Sequence, residues 1–594
     1  MASLSSLHSI STASSKSLSP CPSSSRKITQ ISVIKKLNYN HLRVIQCRTN
    51  RNHDQDNHEN EITSYIDRRN MLVGLGGLYG ATSTGFGADR MAVAAPIPPP
   101  DISNCGPADT PPGAAPVDCC PPPSTKIIDF RKPSSSTPLR IRPAAHLVDE
   151  AYIAKYNKAY ELMRALPDDD PRSFYQQANV HCAYCADAFD QSLAGFPGLE
   201  LQVHSCWLFF PFHRYYLYFH EKILGSLIGD PTFALPFWNW DSPAGMKMPS
   251  MYVKPGSALY DPLRDPRHLP PTIIDLNYNF VEPNLSARQL ITRNLTTMYR
   301  QMVSGGKTPT LFLGSPYRAG DPPNPGAGTI ELIPHNTVHI WTGDPRQPNR
   351  EDMGDFYSAA RDPIFFAHHS NIDRMWTIWK RLGGNRKDFT DPDFLNAAFL
   401  FYDEKKQLVR VRVKDCLEPE NLRFKYQEVQ IPWLQMKPKS SIARTLRNKI
   451  AKKKAVCETE YPITVDKTVQ VLVKRPITKK RSKKEKEEKE EMLIISGIGL
   501  DRGDPIKFDV YINDDGTVGP DASEYAGSFT NVPHVHEDHE SKKIKTCLKL
   551  GITGILEDID AEDDDDILVT MVPRDSGRAN KDVLTIDGME IQFD

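Results

Sequence analysis

The stretch that decides the fold is PHNTVHIW, residues 334–341, in which His335 and His339 stand four residues apart. Positions i and i+4 share one face of a helix, with about 6 Å between their Cβ atoms. Both imidazoles could therefore reach one metal ion, although such a pair is also common in purely structural helices. Pro334 fits the first turn, because the N–H that proline lacks would have no helical partner there. The stretch thus predicts a helix that begins at Pro334 and carries two candidate metal ligands.

A second helix-like stretch, DPIFFAHHSNIDRMW at residues 362–376, contains the consecutive histidines His368 and His369. Neighbouring positions on a helix point about 100° apart. One of the two rings can therefore join the pair while the other bonds elsewhere, and spacing alone does not say which. Asp373 stands one turn beyond His369 and could accept a hydrogen bond from its ring or cap a nearby group.

Three further histidines, His181, His204 and His213, lie upstream. Nine residues of helix turn through about 180°, so His204 and His213 cannot share a face of one helix. We therefore expect His204 on a loop that precedes a helix starting at Pro211. A loop histidine and two helical ones can form a three-imidazole site. His220 shares the face of His213, and we expect it to be a buried, hydrogen-bonded structural histidine.

The two sets of three histidines contain no carboxylate in the ligand pattern. Carboxylate-bridged di-iron bundles need glutamates and Glu-x-x-His motifs, and structural zinc sites favour mixtures with cysteine. Pure imidazole suits copper, which also heads the divalent affinity order. Three neutral imidazoles leave one face of each metal open, and two such metals facing each other can hold one O₂ between them.

Composition and patterning indicate two kinds of domain. The net charge of −1 over 594 residues argues against a nucleic-acid binder, and no apolar run reaches the roughly 18–20 residues of a membrane-spanning helix. The histidine-rich part carries the predicted helices. Alternating apolar patterns then predict strands at 468–474, 492–500, 506–513 and 567–572. We expect a mainly α domain, a helical bundle with many loops, followed by an all-β, sandwich-like domain.

The sequence also predicts the conformation of two polar runs in the second domain. KKRSKKEKEEKEE, residues 479–491, is predicted to be a mobile hairpin tip, because it cannot bury apolar surface. HVHEDH, residues 534–539, puts His534 and His536 on one strand face. We expect a solvated loop there rather than a third metal site.

The first hundred residues have the composition of a targeting segment. Residues 1–50 contain thirteen Ser and seven Lys or Arg but no Asp or Glu, which is typical of an organelle transit peptide. Arg68 and Arg69 then precede the short apolar stretch MLVGLGGLYGA (71–81), which small residues close at 92–94. This order is typical of a twin-arginine export signal. Two signals in series predict a disordered transit peptide that leads into a chloroplast and on to the thylakoid lumen.

Six long motifs extend over the chain: HCAYC (181–185), WLFFPFHRYYLYFHE (207–221), HNTVHIWTGD (335–344), DPIFFAHHSNIDRMW (362–376), PWLQMKP (432–438) and KFDVYIN (507–513). They closely resemble plant polyphenol oxidases, the catechol oxidase and tyrosinase group of type-3 copper proteins. The resemblance implies a chloroplast precursor with four parts. These are a bipartite transit peptide (1–94), a tyrosinase-type dicopper domain (95–436), a linker (437–459) and a C-terminal β shielding domain (460–594).

The resemblance also implies which six histidines bind the two copper ions. One copper is held by His181, His204 and His213, and the other by His335, His339 and His369. The family pattern thereby makes the choice between the consecutive histidines that spacing left open.

Cysteine cross-links follow from the same resemblance. The family joins a cysteine to the loop histidine by a thioether, here Cys185 to His204, and a loop histidine needs a tether that a helical one does not. Cys206 stands where we expect a polar residue without a thiol. We expect an inert buried thiol at Cys206, and a cross-link from it to His204 is the minor alternative.

Two disulfides are implied as well, Cys105–Cys120 and Cys119–Cys182. They would fasten a Pro-rich arm, residues 95–125, to the helix that carries the first copper ligand. Such bonds require an oxidising compartment.

Further site residues come from the family match. Phe356 matches a gate residue above the first copper. Glu331 and Asn336 match a pair said to hold a water that deprotonates phenols, a role that suits a carboxylate acting as general base. Asn336 and Ile340 flank the histidine pair of the second copper and would tune the preference for monophenols.

The implied activity is oxidation of o-diphenols to o-quinones with reduction of O₂ to water, with monophenol hydroxylation left open. The β domain would keep the enzyme a latent proenzyme. Expected partners are O₂, small phenolic substrates, the twin-arginine export machinery and processing proteases. The alternatives are a specialised-pathway oxidase acting on chalcones or lignans, a haemocyanin-like O₂ binder, and a non-catalytic structural protein of the lumen.

Overall fold

The computed structural model describes residues 95–111, 113–438, 460–476, 479–534, 543–574 and 584–594. The predicted transit peptide, nearly all of the predicted linker and His536 lie outside these residues. The α-helices of the described part are α1 Glu150–Arg164, α2 Phe174–Cys185, α3 Phe209–Leu227, α4 Ala287–Tyr299, α5 Pro309–Leu313, α6 Thr337–Thr342, α7 Ile364–Arg381, α8 Pro392–Asn396, α9 Lys483–Glu488 and α10 Thr553–Asp558.

Helices α3 and α7 form the centre of the helical region, and almost every residue of both is buried. Helix α3 begins at Phe209, two residues before the predicted start at Pro211, because proline is tolerated throughout a first turn. The neighbouring helix α2 starts where the Ser173 side chain accepts a hydrogen bond from the backbone N–H of Gln176. These three helices supply three of the six predicted histidine ligands, His181, His213 and His369.

The helix predicted to begin at Pro334 begins instead at Thr337, after an irregular turn. A π turn, Glu331–Asn336, precedes α6, and within it Ile333 is extended (φ −140°, ψ 121°). Glu331 and His335 are therefore separated by a kink rather than stacked on one continuous helix.

Strands of the helical region form three small sheets. These strands are β1 Ile127–Asp129, β2 Arg140–Arg142, β3 Asp190–Gln191, β4 Phe196–Glu200, β5 Ala398–Tyr402, β6 Leu408–Arg412 and β7 Phe424–Tyr426. The sheet orders are β1-β6-β5, β2-β7 and β3-β4. The β3–β4 hairpin lies between α2 and the loop that carries His204.

The C-terminal region is a sandwich of two sheets. Its strands are β8 Ile463–Thr464, β9 Val469–Lys474, β10 Glu491–Asp501, β11 Lys507–Ile512, β12 Tyr525–Thr530, β13 Lys543–Gly551, β14 Asp566–Arg574, β15 Thr585–Ile586 and β16 Gly588–Phe593. One sheet has the order β13-β10-β15-β8 with β16 also paired to β10, and the other β12-β11-β14-β9. Phe508, Val510 and Ile512 face the sandwich core, as their alternation predicted.

The predicted sandwich is confirmed, and it also includes two short helices, α9 and α10. One expectation for this domain was wrong. The charged run predicted to be a mobile tip contains α9, which begins with a capping box between Ser482 and Glu485. The end of the run is buried, because Glu491 forms an ion pair of 2.9 Å with Arg475.

Residues of the helical region pack in the core of the sandwich, and a residue of the sandwich packs in the core of the helical region. Leu332 and Ile333, next to the predicted ligand His335, belong to the apolar core of the sandwich. In return Val532, which follows β12, belongs to the core of the helical region. The two domains therefore bury parts of each other beside the histidine clusters.

The Pro-rich arm is fastened as the resemblance implied. Disulfides join Cys105 to Cys120 and Cys119 to Cys182, each with a Cα–Cα distance of 5.7 Å. The second disulfide ends on α2, one residue after His181. The arm is thereby tied to the helix that supplies the first histidine.

Candidate metal centre

The first histidine cluster, cluster A, consists of His181 on α2, His204 on the loop before α3 and His213 on α3. The loop position of His204 agrees with the rotation argument. One ring nitrogen from each residue lies within 4.8 Å of the others, and all three residues are buried. The structure thus brings together the three upstream histidines.

Main-chain carbonyls orient the two helical rings of cluster A. Nδ1 of His181 lies 2.9 Å from the carbonyl oxygen of Phe356, and Nδ1 of His213 lies 2.8 Å from that of Phe209. A carbonyl can only accept, so each Nδ1 carries the proton. Nε2 is then the atom with a free lone pair, as metal ligation requires.

The loop ring is oriented by a side chain instead. Nδ1 of His204 lies 3.3 Å from Oε1 of Gln202. The same oxygen accepts the backbone N–H groups of Val203 at 2.9 Å and His204 at 3.1 Å. Gln202 was not identified from the sequence, in which the available signal was an amide side chain two residues before a histidine predicted to lie on a loop.

The second cluster, cluster B, contains His335 in the π turn, His339 on α6 and both His368 and His369 on α7. Nδ1 of His339 lies 2.8 Å from the carbonyl oxygen of Met353. The four rings are all buried, with ligand atoms within 4.8 Å of one another.

Hydrogen bonding distinguishes the two consecutive histidines. The indole N–H of Trp240 lies 3.2 Å from Nδ1 of His368 and can only donate. The neutral His368 ring therefore carries its own proton on Nε2, which removes the lone pair a metal would need. Nε2 of His369 lies 3.3 Å from Nε2 of His339. This favours His369 as the third ligand of cluster B.

The two clusters face each other across a short gap. The rings of His213 and His369, one from each cluster, stack with centroids 4.1 Å apart and planes 10° apart. The His204 and His335 rings lie 5.8 Å apart. Within the described residues, Nε2 of His181, His204, His213 and His335 is buried and has no hydrogen-bond partner.

Burial keeps all the cluster imidazoles neutral. It lowers the pKa of His213 to about 3 and that of His339 to about 4, and neighbouring imidazoles lower the pKa of His204 further. Neutral imidazole is the form that binds metals. Among the described residues the two clusters consist of histidines alone. Buried nitrogens without partners, neutral rings and all-histidine clusters together fit a pair of copper ions.

Two nearby polar groups are structural. Asp373 does not bond His369, since its carboxylate pairs with Arg214 at 2.5 Å and with Arg142 at 3.3 Å. His220 is a buried, hydrogen-bonded structural histidine, as predicted, because its Nε2 lies 2.9 Å from the hydroxyl oxygen of Tyr160.

Glu331 is a buried carboxyl beside the clusters. Its Oε1 accepts the backbone N–H of Ser205, next to His204, at 2.5 Å. Burial raises the pKa of Glu331 to about 8, and backbone N–H groups offset part of that rise. A carboxyl in this range can take up or release a proton near neutral pH.

Phe356 and Ile340 occupy different positions around the clusters. The Phe356 ring stacks on the His204 ring with centroids 4.2 Å apart and planes 17° apart. Ile340 is buried in the core of the helical region, one residue after His339. Phe356 therefore covers cluster A, as a gate residue would.

A segment of the sandwich domain, residues 530–534, covers the clusters. Asn336 donates its Nδ2–H to the carbonyl oxygen of Thr530 at 2.7 Å, and its Oδ1 lies 2.8 Å from Nδ1 of His335. The backbone N–H of Phe356 donates to the carbonyl of Pro533 at 3.3 Å. Both groups of the Asn336 amide are thereby occupied. Sequence reasoning missed this segment, since covering contacts between domains leave no local pattern.

His534 contradicts the expectation of a solvated loop. It is 6% exposed, and its ring lies 5.2 Å from that of Phe356. The residue is buried because the segment ends against Phe356 of the other domain.

Cys185 and Cys206 are both buried free thiols in this structure. Burial raises the pKa of both, so each is a protonated thiol at neutral pH. The S–H of Cys206 is directed towards the carbonyl of Val203 at 3.6 Å. Cys185 ends α2, and its carbonyl oxygen accepts a hydrogen bond from Nε2 of Gln202 at 3.3 Å.

Among the residues that the structure describes, none of the helices has the length and apolar character needed to cross a bilayer.

Three family descriptions match consecutive parts of the chain. The common central domain of tyrosinase matches residues 171–382, the polyphenol oxidase middle domain 388–439, and the chloroplastic polyphenol oxidase C-terminal domain 461–593. The tyrosinase match contains both histidine clusters.

Individual relatives and a solved structure agree. A chloroplastic polyphenol oxidase from Malus domestica is 56% identical over 97% of this chain and 96% of its own length. Aureusidin synthase from Antirrhinum majus is 53% identical over 87% of this chain and 92% of its own. The structure of latent apple tyrosinase is 59% identical with a TM-score of 0.74, and the match covers 79% of this chain and all of that one. The chain therefore belongs to the plant polyphenol oxidases, chloroplastic enzymes of the tyrosinase family.

Proposed function

We propose that clusters A and B hold a pair of copper ions and that the chain oxidises o-diphenols to o-quinones while O₂ is reduced to water. The observation that carries the proposal is the facing arrangement of the two clusters. Neutral imidazoles from both converge on one buried gap, and in the described part of the chain Nε2 of His181, His204, His213 and His335 has no protein partner. Copper would supply the electron transfer from the diphenol and the binding of O₂.

Six residues are proposed as ligands, each through Nε2. The first copper would be held by His181, His204 and His213, and the second by His335, His339 and His369. The bond from Trp240 leaves His368 outside the set.

Glu331 is proposed as the proton acceptor for the phenol. Its pKa of about 8 lies close to the range in which a general base both gains and loses a proton. A copper pair nearby would favour the charged carboxylate and lower this pKa. Asn336 would hold a water with Glu331 once its amide is released from Thr530, and Ile340 would shape the pocket beside it.

Latency follows from the segment 530–534. While Thr530 holds Asn336 and His534 lies against Phe356, a diphenol cannot enter above cluster A. Removal of the sandwich domain by a processing protease would free the gate residue and the Asn336 amide together.

We further propose the division of the chain into a transit peptide (1–94), a dicopper domain (95–436), a linker (437–459) and a shielding domain (460–594). The composition of the first part supports export by the twin-arginine machinery into the thylakoid lumen. An oxidising compartment of this kind suits the two disulfides.

Two candidate functions differ in the breadth of substrates that the enzyme would accept. The specialised alternative, a pathway oxidase, draws support from the similarity to aureusidin synthase. The higher identity to an enzyme named simply polyphenol oxidase favours general o-diphenol oxidation.

The test is oxygen uptake by the trimmed enzyme with catechol, set against a copper-stripped control and a panel of chalcones, lignans and tyramine. We expect uptake with catechol that disappears on copper removal and returns on its addition. Uptake that is indifferent to copper would refute the proposal. Turnover of a chalcone or lignan alone would support the specialised function instead.

A further inference from the structure

Gln202 lies at the point where the loop of His204 meets the end of α2. It is completely buried, and its amide has partners at both ends. Oε1 faces the backbone N–H of Val203, the backbone N–H of His204 and Nδ1 of His204, at 2.9, 3.1 and 3.3 Å. The two backbone groups can only donate, so the atom that faces them must be the oxygen.

The amide nitrogen holds the other side. Nε2 of Gln202 donates to the carbonyl of Cys185, the last residue of α2, at 3.3 Å, and to Oε1 of Glu200 at 3.1 Å. One side chain therefore ties the loop histidine to the helix that carries His181. It also fixes the proton of the His204 ring on Nδ1, which leaves Nε2 as the lone-pair atom.

No other ring of cluster A depends on a side chain. The carbonyl of Phe209, one turn earlier on α3, orients His213, and the carbonyl of Phe356, which lies in a turn, orients His181. At His204 the acceptor is a side-chain oxygen instead, Oε1 of Gln202.

We infer that Gln202 is the positioning residue of the loop copper ligand, setting both the ring orientation and the tautomer of His204. The inference rests on the proposed function, since it concerns copper at cluster A. Residues that hydrogen-bond a ligating histidine typically contribute about 10–100-fold to metal affinity. Loss of the Gln202 acceptor should therefore weaken one of the two copper sites selectively.

The experiment compares three variants of the full-length chain with the wild type, namely Gln202→Met, Gln202→Glu and Gln191→Met. The first removes the acceptor at similar volume, and the second keeps an acceptor oxygen. The third is a matched control, because Gln191 is also buried and bonds Tyr317 and the main chain of Glu200 and Gly320 but no histidine.

The readouts are copper per chain under competition with a chelator, the electron paramagnetic resonance signal of Cu(II), and the melting temperature of the metal-free forms. A coupled Cu(II) pair is silent, whereas a lone Cu(II) gives a signal. We expect Gln202→Met to retain copper about 10–100-fold more weakly at one site and to show the lone-ion signal. Gln191→Met should hold a silent pair, and Gln202→Glu should load copper better than Gln202→Met.

Different results would contradict the role of Gln202 and the binding of copper. A wild-type chain that binds no copper would remove the basis of both. A wild type with a silent pair and a Gln202→Met variant that holds it as firmly as Gln191→Met would overturn the inference alone. Should Gln202→Met fail to fold, equal copper affinity in Gln202→Glu and Gln191→Met supports the acceptor role, and copper loss in folded Gln202→Glu contradicts it.

Discussion

The two histidine clusters differ in where their ring outside the α-helices lies and in which side chain orients it. In cluster A this ring is His204 on a loop, and its Nδ1 faces the side-chain oxygen of Gln202. In cluster B it is His335 in the π turn, and its Nδ1 faces the side-chain oxygen of the next residue, Asn336. Main-chain carbonyls orient helical rings such as His339, so a proposed ligand outside an α-helix depends on a dedicated side chain.

The clusters also differ in how the sandwich domain reaches them. Near cluster B the contact is a hydrogen bond from Asn336 to the carbonyl of Thr530. Near cluster A, besides the contacts of the 530–534 segment with Phe356, there is an ion pair of 2.7 Å between Arg502 of the sandwich and Glu200, which in turn bonds Gln202. Latency and ligand orientation therefore share residues at cluster A.

The largest expected effect comes from removing a ligand of cluster B. In His369→Asn we expect oxygen uptake with catechol to fall on the order of a thousandfold or more, which corresponds to about 4 kcal/mol in the barrier. The matched variant is His368→Asn, the adjacent buried histidine whose Nδ1 bonds Trp240. It should keep two copper ions per chain. Loss of copper in His368→Asn with retention in His369→Asn would reverse the ligand assignment.

The next effect concerns the ion pair that holds the sandwich near cluster A. Arg502 is 6% exposed, and removing one partner of a buried pair costs about 3–5 kcal/mol. In Arg502→Met we expect activity of the uncleaved chain to rise about tenfold or more, with no difference from wild type after the sandwich is removed. Lys545→Met serves as control, since Lys545 pairs with Asp587 at an exposed site. If the uncleaved Arg502→Met chain is no more active than this control, the ion pair does not hold the sandwich over cluster A.

A smaller effect is expected from the cross-link at the loop ligand. Peptide mapping of the mature, copper-loaded enzyme should find His204 joined to Cys185, and Cys206→Ala should leave that adduct in place. We expect Cys185→Ala to lose the adduct and to lower copper affinity at cluster A by less than the removal of a ligand does. An adduct on Cys206 would overturn the assignment.

The smallest effect is a pH dependence of stability beside the loop. Burial, aided by Glu200 and Asp109, raises the pKa of Asp187 to about 8, against an ordinary value of 3.8. The folded state holds this proton more firmly, so its contribution to stability is lost as pH rises from about 4 to about 8. Relative to wild type, metal-free Asp187→Asn should gain a few degrees in melting temperature between pH 5 and pH 8.5.

Asp230→Asn is a control at a carboxyl whose pKa is lowered in the folded protein rather than raised. Its partner Lys155 lowers the pKa of Asp230 to about 2, so this carboxylate is charged at both pH values. The difference in melting temperature from wild type should therefore be the same at pH 5 and at pH 8.5. A pH-dependent gain in Asp230→Asn, or none in Asp187→Asn, would contradict the account.

Much of cluster B was accessible from spacing, because His335 and His339 follow a helical period. The loop position of His204 also followed from rotation. The kink at Ile333 did not, since the prediction of a helix starting at Pro334 assumed regular geometry. Contacts between distant residues, such as Asn336 with Thr530, leave no periodic trace in a sequence.

The choice between His368 and His369 shows the same limit. Spacing left it open and the family resemblance made it, whereas the observation that favours His369 is a hydrogen bond to His368 from an indole more than a hundred residues away. Likewise His534 was expected in solvent, and its burial depends on packing against Phe356 of the other domain.

The most direct test of the central claim is anomalous diffraction at the copper edge from crystals of the copper-loaded chain. If the two clusters hold a copper pair, two peaks roughly 3.5–4 Å apart are expected. One should be bonded to Nε2 of cluster A and the other to Nε2 of His335, His339 and His369. A single peak, or a peak bonded to His368, would contradict it.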